Sequence, residues 1–312
     1  MATEGRMADI ERQALMILRH GIGKTSRQLA EEFASVELLT AEEFEPVARA
    51  LVRSFDGSGE FSISLPRSGP IARELNRMFL QFSSGRDNRG LHFRRALLNE
   101  CQNNYESLLQ VVDSPTTCKA EAAQAWKRLA MIVTLIGHLY LVKLVARWAI
   151  LSILIALIPP GDSQPAEIRV LCSSTLLKVV GHALADKDAG QMVAFIGRLV
   201  ELTATSSFEA HTRRLVEELQ EISTSSWQLR RVLTVRAEMV ASHAEVSCTS
   251  MGGEQVCVFN MMASARLPDL VAEVKSHILN PLDVLTLILP TGELLPGDDE
   301  TPIGDLLRDL RE

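Results

Sequence analysis

Gly21-Ile-Gly-Lys-Thr25 sets two glycines, a lysine and a threonine side by side, an order in which backbone amides and an ammonium group can cradle phosphates. That chemistry needs another glycine five residues ahead of Gly23, where the chain has Leu18. The segment therefore reads as a link between two helices. Gly161-Asp-Ser163 offers a serine in a tight turn, yet it follows Pro159-Pro160 and precedes Pro165, the composition of a turn leading into a helix. The seven histidines (His20, His92, His138, His182, His211, His243 and His277) are dispersed. None has a second histidine four residues away with a carboxylate between, as zinc proteases require. His138 and His182 read as packing or surface residues. No carboxylate pair is placed for acid–base work in preference to a solvated helix face. The expectation is a nonenzymatic chain with no catalytic residue, no metal and no cofactor.

Basic residues carry more information, because they recur as pairs: Arg94 with Arg95, Lys127 with Arg128, Lys143 with Arg147, Arg213 with Arg214, and Arg230 with Arg231. On stacked helical repeats such pairs could form a stripe that neutralises phosphates, although solubility explains them equally well. With 2 Tyr and 3 Trp in the chain, base stacking would be minor, so any RNA contact should be salt-sensitive and weakly sequence-selective. The net charge of -7 argues against a surface that coats nucleic acid everywhere. Charge is nonetheless uneven: residues 1–69 sum to -3, 70–240 to +4 and 241–312 to -8.

The elements that must position these groups are mostly helices. The 312 residues, 46% hydrophobic and 23% charged, suggest two domains and exclude disorder. Five cysteines without a C-x-x-C pair indicate neither a disulfide framework nor a zinc knuckle and favour a reducing compartment. The opening residues lack a secretory pattern, so the cytoplasm is the expected location. Residues 129–158 are the most apolar stretch, which raises a membrane span as one hypothesis. Lys143 and Arg147 interrupt it, and two helices without a membrane are expected instead.

Two short helices over 8–34 are separated by Gly21-Ile-Gly23, with Thr25 or Ser26 as N-cap of the second. Thr40 and Glu43 have capping-box spacing ahead of an apolar face of Phe44, Val47, Leu51 and Phe55. A Gly/Ser/Pro-rich loop follows over 56–70. Further faces comprise Ile71, Leu75, Met78, Phe79 and Phe82, then Phe93, Leu97, Cys101, Tyr105, Leu108 and Val112. Helical pairs of roughly 40 residues, unable to bury a face alone, predict an α-solenoid. From about residue 245 the pattern changes to a strand over 256–262, a helix over 267–278, a strand over 284–289 and the turn Pro290-Thr-Gly-Glu293.

Phe93-Arg-Arg-Ala-Leu-Leu-Asn-Glu-Cys-Gln102 resembles a helix of the middle domain of eukaryotic initiation factor 4G. Lys127-Arg-Leu with Leu135-Ile-Gly-His-Leu-Tyr140, Thr175-Leu-Leu-Lys-Val-Val-Gly181, and His211-Thr-Arg-Arg-Leu through Trp227 resemble later segments of that family. Leu38-Leu-Thr-Ala-Glu-Glu-Phe44 resembles its opening helix, so the resemblance covers about 35 to 235. The family normally has further helices between Phe55 and Ile71, and here the first repeat is shortened. The tail, through Leu287-Ile-Leu-Pro-Thr-Gly-Glu-Leu-Leu295 and Asp298 to Leu306, resembles ubiquitin-like domains but ends without Gly-Gly.

These resemblances imply a mainly α chain: a helical extension over 1–34, an α-solenoid of HEAT-type hairpins over 35–240, and a small α+β ubiquitin-like β-grasp domain over 250–312. The implied function is a translation initiation scaffold that binds a DEAD-box helicase of the initiation factor 4A type and mRNA, with other initiation factors as further candidate partners. Leu39, Phe44, Phe93 and Arg94 are the implied helicase-binding residues, although Phe44 and Phe93 fit a core equally well. Arg95, Lys127, Arg128, Lys143, Arg147, Arg213 and Arg214 are the RNA-binding candidates. The alternatives are a ubiquitin-like adaptor in protein turnover, docking through Ile288, or a related middle-domain protein of cap binding or nonsense-mediated mRNA decay.

Overall fold

The computed structural model describes residues 2–20, 26–55, 71–77, 89–114, 118–159, 166–225, 227, 230–240, 243–253, 255–277, 284–292, 294–295 and 302. The chain divides into two compact units, Met1–Glu221 and Ile222–Glu312. The first is helical: α1 (Ala2–Arg19), α2 (Ser26–Ala34), α3 (Phe44–Phe55), α4 (71–77), α5 (Arg89–Asp113), α6 (Lys119–Leu141), α7 (Arg147–Leu157) and α8 (Glu167–Thr205), with α9 (Ala210–Thr224) running to its edge. Gly21 to Thr25, the loop over 56–70, and Met78, Phe79 and Phe82 lie outside the described residues.

Each helix exists because its apolar residues recur every three or four positions and need a neighbour to cover them. On α3, Phe44, Val47, Leu51 and Phe55 are all buried; on α5, Phe93, Leu97, Cys101 and Leu108 are. The order of packing is α1 on α3, α3 on α5, α5 on α6 and α6 on α8, with α7 also against α8, which is the side-by-side stacking of a solenoid. Ion pairs fasten the sequence-distant contacts. The Glu11 carboxylate accepts from Arg49 and Arg53 of α3 (3.3 and 2.6 Å), and Arg169 of α8 reaches Asp113 at the end of α5 (2.5 Å) and the Ala156 carbonyl of α7 (3.0 Å). Residues 1–34 are thus an integral layer of the helical unit, because α1 supplies part of the cover for α3.

The apolar stretch over 129–158 is two helices, broken by a turn at 142–146. Lys143 takes a left-handed conformation (φ 65°), and the Lys143 and Leu144 amides donate back to the Tyr140 and Leu139 carbonyls (both 2.9 Å), closing the end of α6. Among the described residues, α8 alone is long and apolar enough to cross a membrane, and its apolar window is mostly buried inside the unit. It joins two apolar stripes, one from Ile168 to Ala183 and one from Met192 to Val200, into a single rod. The joint is Asp188, whose φ/ψ of -134°/45° kinks the rod.

Gly137 is where α6 approaches α8 most tightly. A Cβ there would lie 3.1 Å from Leu176 Cδ1 and Val179 Cγ1 and 3.2 Å from Val180 Cγ1. Gly137→Ala gains up to about 1 kcal/mol of helix propensity but must push three methyls aside by a few tenths of an ångström, so little net change is expected. Gly137→Leu has no such room and should cost about 1–3 kcal/mol, read as a fall in thermal midpoint.

The second unit begins at Ile222, in the last turn of α9, and Trp227 follows it. Trp227 is buried, left-handed (φ 62°), and its amide donates to the Ile222 carbonyl (2.8 Å), ending the last helix. Four strands follow, β1 (Arg230–Val240), β2 (His243–Ser250), β3 (Gln255–Met262) and β4 (Val284–Ile288), with α10 (Leu267–His277) between β3 and β4. Sheet order is β3-β2-β1-β4; β1/β2 and β2/β3 are antiparallel, and β1/β4 is parallel. The core takes alternate residues: Leu233 and Val235, Ala244, Val246 and Cys248, and Cys257, Phe259 and Met261, closed by Leu270 and Val274 of α10. This is a small α+β unit.

Its start corrects the expected boundaries. Residues 230–240, assigned to the solenoid from sequence, are a central strand, and β2 over His243–Ser250, which the sequence reading did not mark, is the antiparallel partner of β3. The period of two was legible in Leu233/Val235/Ala237 and Ala244/Val246/Cys248, but Arg230-Arg231 read as a helix end. Ile288 is half-buried, pairs with Thr234 on β1 and bridges to Leu294.

Candidate interaction surface

The four expected helicase-facing residues occupy different environments. Leu39 is 64% exposed in the segment before α3. Phe44 and Phe93 are interior, at 2% and 0% exposure, so their rings shape the surface only by supporting it. Their burial favours the core reading that the sequence left open beside the partner-facing one: both open the apolar stripe of their own helix, and α3 packs on α5. The exposed His92 imidazole stacks on the Phe44 ring, centroids 6.3 Å apart. Arg94 is half-buried, and its Nε donates to the Leu144 carbonyl (2.9 Å) in the left-handed turn after α6. It satisfies a carbonyl of the turn between α6 and α7, which belongs to neither helix.

Leu39 is presented by an ionic latch. Glu43, 5% exposed, accepts from Arg6 Nε (2.5 Å) and from the Leu39 amide (2.5 Å). The Arg6 guanidinium, more than any other group, holds the Glu43 carboxyl below the usual carboxylate range. Arg6 also donates to the Glu37 carbonyl (3.1 Å), so α1 fixes the strand-like segment that carries Leu39. The expected capping box is displaced. Helix α3 starts at Phe44, and Glu43 reaches back to Leu39 because Arg6, distant in sequence, fixes its carboxylate.

The basic candidates divide by what they touch. Arg147, at the start of α7, pairs with Asp188 at the α8 kink (2.7 Å), and Arg128 is half-buried with a partner of its own. Arg95 on α5, Lys127 on α6, Lys143 in the turn after α6, and Arg213 and Arg214 on α9 are exposed. Among the described residues none of these five pairs with an acid. Arg230 and Arg231 lie on β1, not at a helix end. Five cations in contact with water, on α5, α6, the turn after α6 and α9, are able to meet a polyanion without first breaking an ion pair among the described residues. The sequence does not mark this division, since Arg147 and Lys143 look alike until Asp188 is brought beside one of them.

Among the described residues no group of three or more His, Cys, Asp or Glu could hold a metal ion. His138 of α6 is buried, and its Nδ1 has no hydrogen-bond partner among the described residues; burial pushes its pKa down to about 4.

The MIF4G domain family model matches residues 69–226, half of the chain. No curated protein matches. Among solved structures the chain is similar to the MIF4G domain of a translation initiation factor from Trypanosoma cruzi, with 17% identity and a TM-score of 0.45, over 70% of this chain and 97% of that one.

Proposed function

Because the chain belongs to the MIF4G domain family, a family of helical scaffolds in translation and RNA metabolism, we propose that its helical unit holds a DEAD-box helicase of the initiation factor 4A type and the phosphate backbone of mRNA. The reading is of a nonenzymatic, cytoplasmic adaptor for initiation. Its mechanism is a shift of population. A rigid stack that binds both helicase lobes in one arrangement better than in another favours that arrangement by the difference in affinity, without supplying a reacting group.

The observation that supports this best is the set of five exposed cations on elements of the family-matched segment, Arg95, Lys127, Lys143, Arg213 and Arg214. Each phosphate neutralised on a single strand steepens the dependence of log affinity on log salt by about 0.7. Changing all five to alanine is expected to flatten that slope by about 3, measured by fluorescence anisotropy of a labelled single-stranded RNA at several salt concentrations. Arg147→Ala, which removes a cation already paired, should leave the slope within about 0.7 of the unchanged chain. An unaltered slope in the five-fold variant would remove the RNA arm of the proposal.

Leu39→Asp tests the helicase arm. An exposed side chain can change without altering the fold, so stimulation of helicase ATPase by the variant should fall while its thermal midpoint stays put. Stimulation equal to that of the unchanged chain would exclude Leu39 from the contact.

A further inference from the structure

The sheet of the second unit sets two cysteines directly opposite each other. Cys248 of β2 is the register partner of Cys257 of β3, and both face the core, Cys248 at 0% and Cys257 at 6% exposure. Opposed residues of an antiparallel pair have Cα atoms about 4.5–5.5 Å apart, within the roughly 4.4–6.8 Å that a disulfide spans. Both are free thiols, and their side chains are in hydrogen-bonding contact. That contact lowers the pKa of the Cys248 thiol and raises that of Cys257, so Cys248 is the more readily ionised of the two.

Two further features give an oxidant access to an otherwise covered pair. Among the described residues β3 is an edge strand, hydrogen-bonded along one side, and edges open locally at lower cost than central strands. The ladder is also interrupted between Cys248 and Thr249, where the register shifts and the backbone can adjust. The remaining cysteines are differently placed. Cys101 and Cys172 are buried in the helical unit with thiols pushed up to about 12, and Cys118 is exposed at the N-cap of α6.

We propose that Cys248 and Cys257 are a redox-responsive thiol pair that a peroxide-class oxidant closes into an intramolecular disulfide. The Cys248 thiolate attacks one peroxide oxygen; an S–O bond forms, the O–O bond breaks, and the departing hydroxide is protonated to water, leaving a sulfenic acid. Cys257 sulfur then attacks Cys248 sulfur; the S–S bond forms, the S–O bond breaks, and the Cys257 proton leaves with hydroxide as a second water. Two thiols lose two electrons and one peroxide becomes two waters. In a reducing compartment the pair rests as thiols, and oxidation ties the edge strand β3 to β2. This inference concerns the second unit alone and is independent of the scaffold reading.

The test uses the full chain treated with hydrogen peroxide, denatured in the presence of a maleimide, and digested without reduction for mass spectrometry. The expected product is a peptide joining Cys248 to Cys257, two hydrogens lighter, formed equally in Cys118→Ser and reopened by dithiothreitol. Amide exchange over 255–262 should slow by about tenfold in the oxidised chain. The proposal fails if both residues still carry maleimide at a peroxide dose that has consumed Cys118. It also fails if Cys248 or Cys257 links to a different cysteine, or if Cys248 advances to sulfinic acid while Cys257 remains a thiol. The unaltered chain carries the decisive measurement, so no destabilising replacement in the core is needed.

Discussion

Phe93→Ala is expected to lower the unfolding free energy of the helical unit by about 3–5 kcal/mol, read from urea denaturation followed by far-ultraviolet circular dichroism. The ring is fully buried at the head of the α5 stripe that continues through Leu97, Cys101 and Leu108. Removing it deletes transfer free energy and leaves a cavity between α5 and its neighbours, which a stack of rods can fill only by shifting a helix. Arg95→Ala, two residues on and exposed, should stay within about 0.5 kcal/mol of the unchanged chain. A ring that faced a partner would give the opposite pattern, with stability kept and partner binding lost. A loss below about 1 kcal/mol would refute the interior role of Phe93.

Acid should weaken the same unit through His138. The buried imidazole has its pKa pushed from 6.5 down to about 4 by desolvation, so the unfolded chain takes up a proton that the folded chain refuses. Stability from the neutral ring is complete above pH 6.5, declines as pH falls toward 4, and changes no further once both states are protonated. At about 1.4 kcal/mol per unit, the loss across that window is roughly 3 kcal/mol. The Glu43–Arg6 latch adds an acid loss of its own, because the Glu43 pKa is lowered in the folded chain. His138→Leu isolates the histidine. The variant should match or exceed the unchanged chain at pH 7, since it removes a buried Nδ1 without a described partner, and should lose about 3 kcal/mol less between pH 6.5 and 4. Parallel pH curves for the two chains would show that His138 does not titrate between the folded and unfolded states.

Much of the helical unit was readable one turn at a time. The faces of α3 and α5 follow from apolar spacing, and Lys143 and Arg147 mark the break between α6 and α7 because charges do not continue a buried rod. The site was less readable. Phe44 and Phe93 match a family pattern for the same reason that they are buried: they anchor helices, and only burial separated that role from the partner-facing one that the sequence left equally open. The exposed cations became distinct from the neutralised ones only when Asp188 met Arg147 and the Leu144 carbonyl met Arg94. Strands β1 and β2 were missed although their alternation is plain, because Arg230-Arg231, the first residues of β1, were grouped with the basic pairs of the helical repeats.

The sequence alone determined most of the helices of the first unit and the faces they must hide, together with the strands at 256–262 and 284–288, since periodicity and turn residues are local properties of the chain. Family membership was also decided there. Tertiary structure alone decided that α1 belongs to the helical layer through Glu43, that α8 bends at Asp188, that five of the seven RNA-binding candidates remain exposed and unpaired among the described residues, and that Cys248 faces Cys257. Each of these depends on groups far apart along the chain meeting in space. Burial, ion pairing and strand register are set by what arrives from elsewhere in the fold.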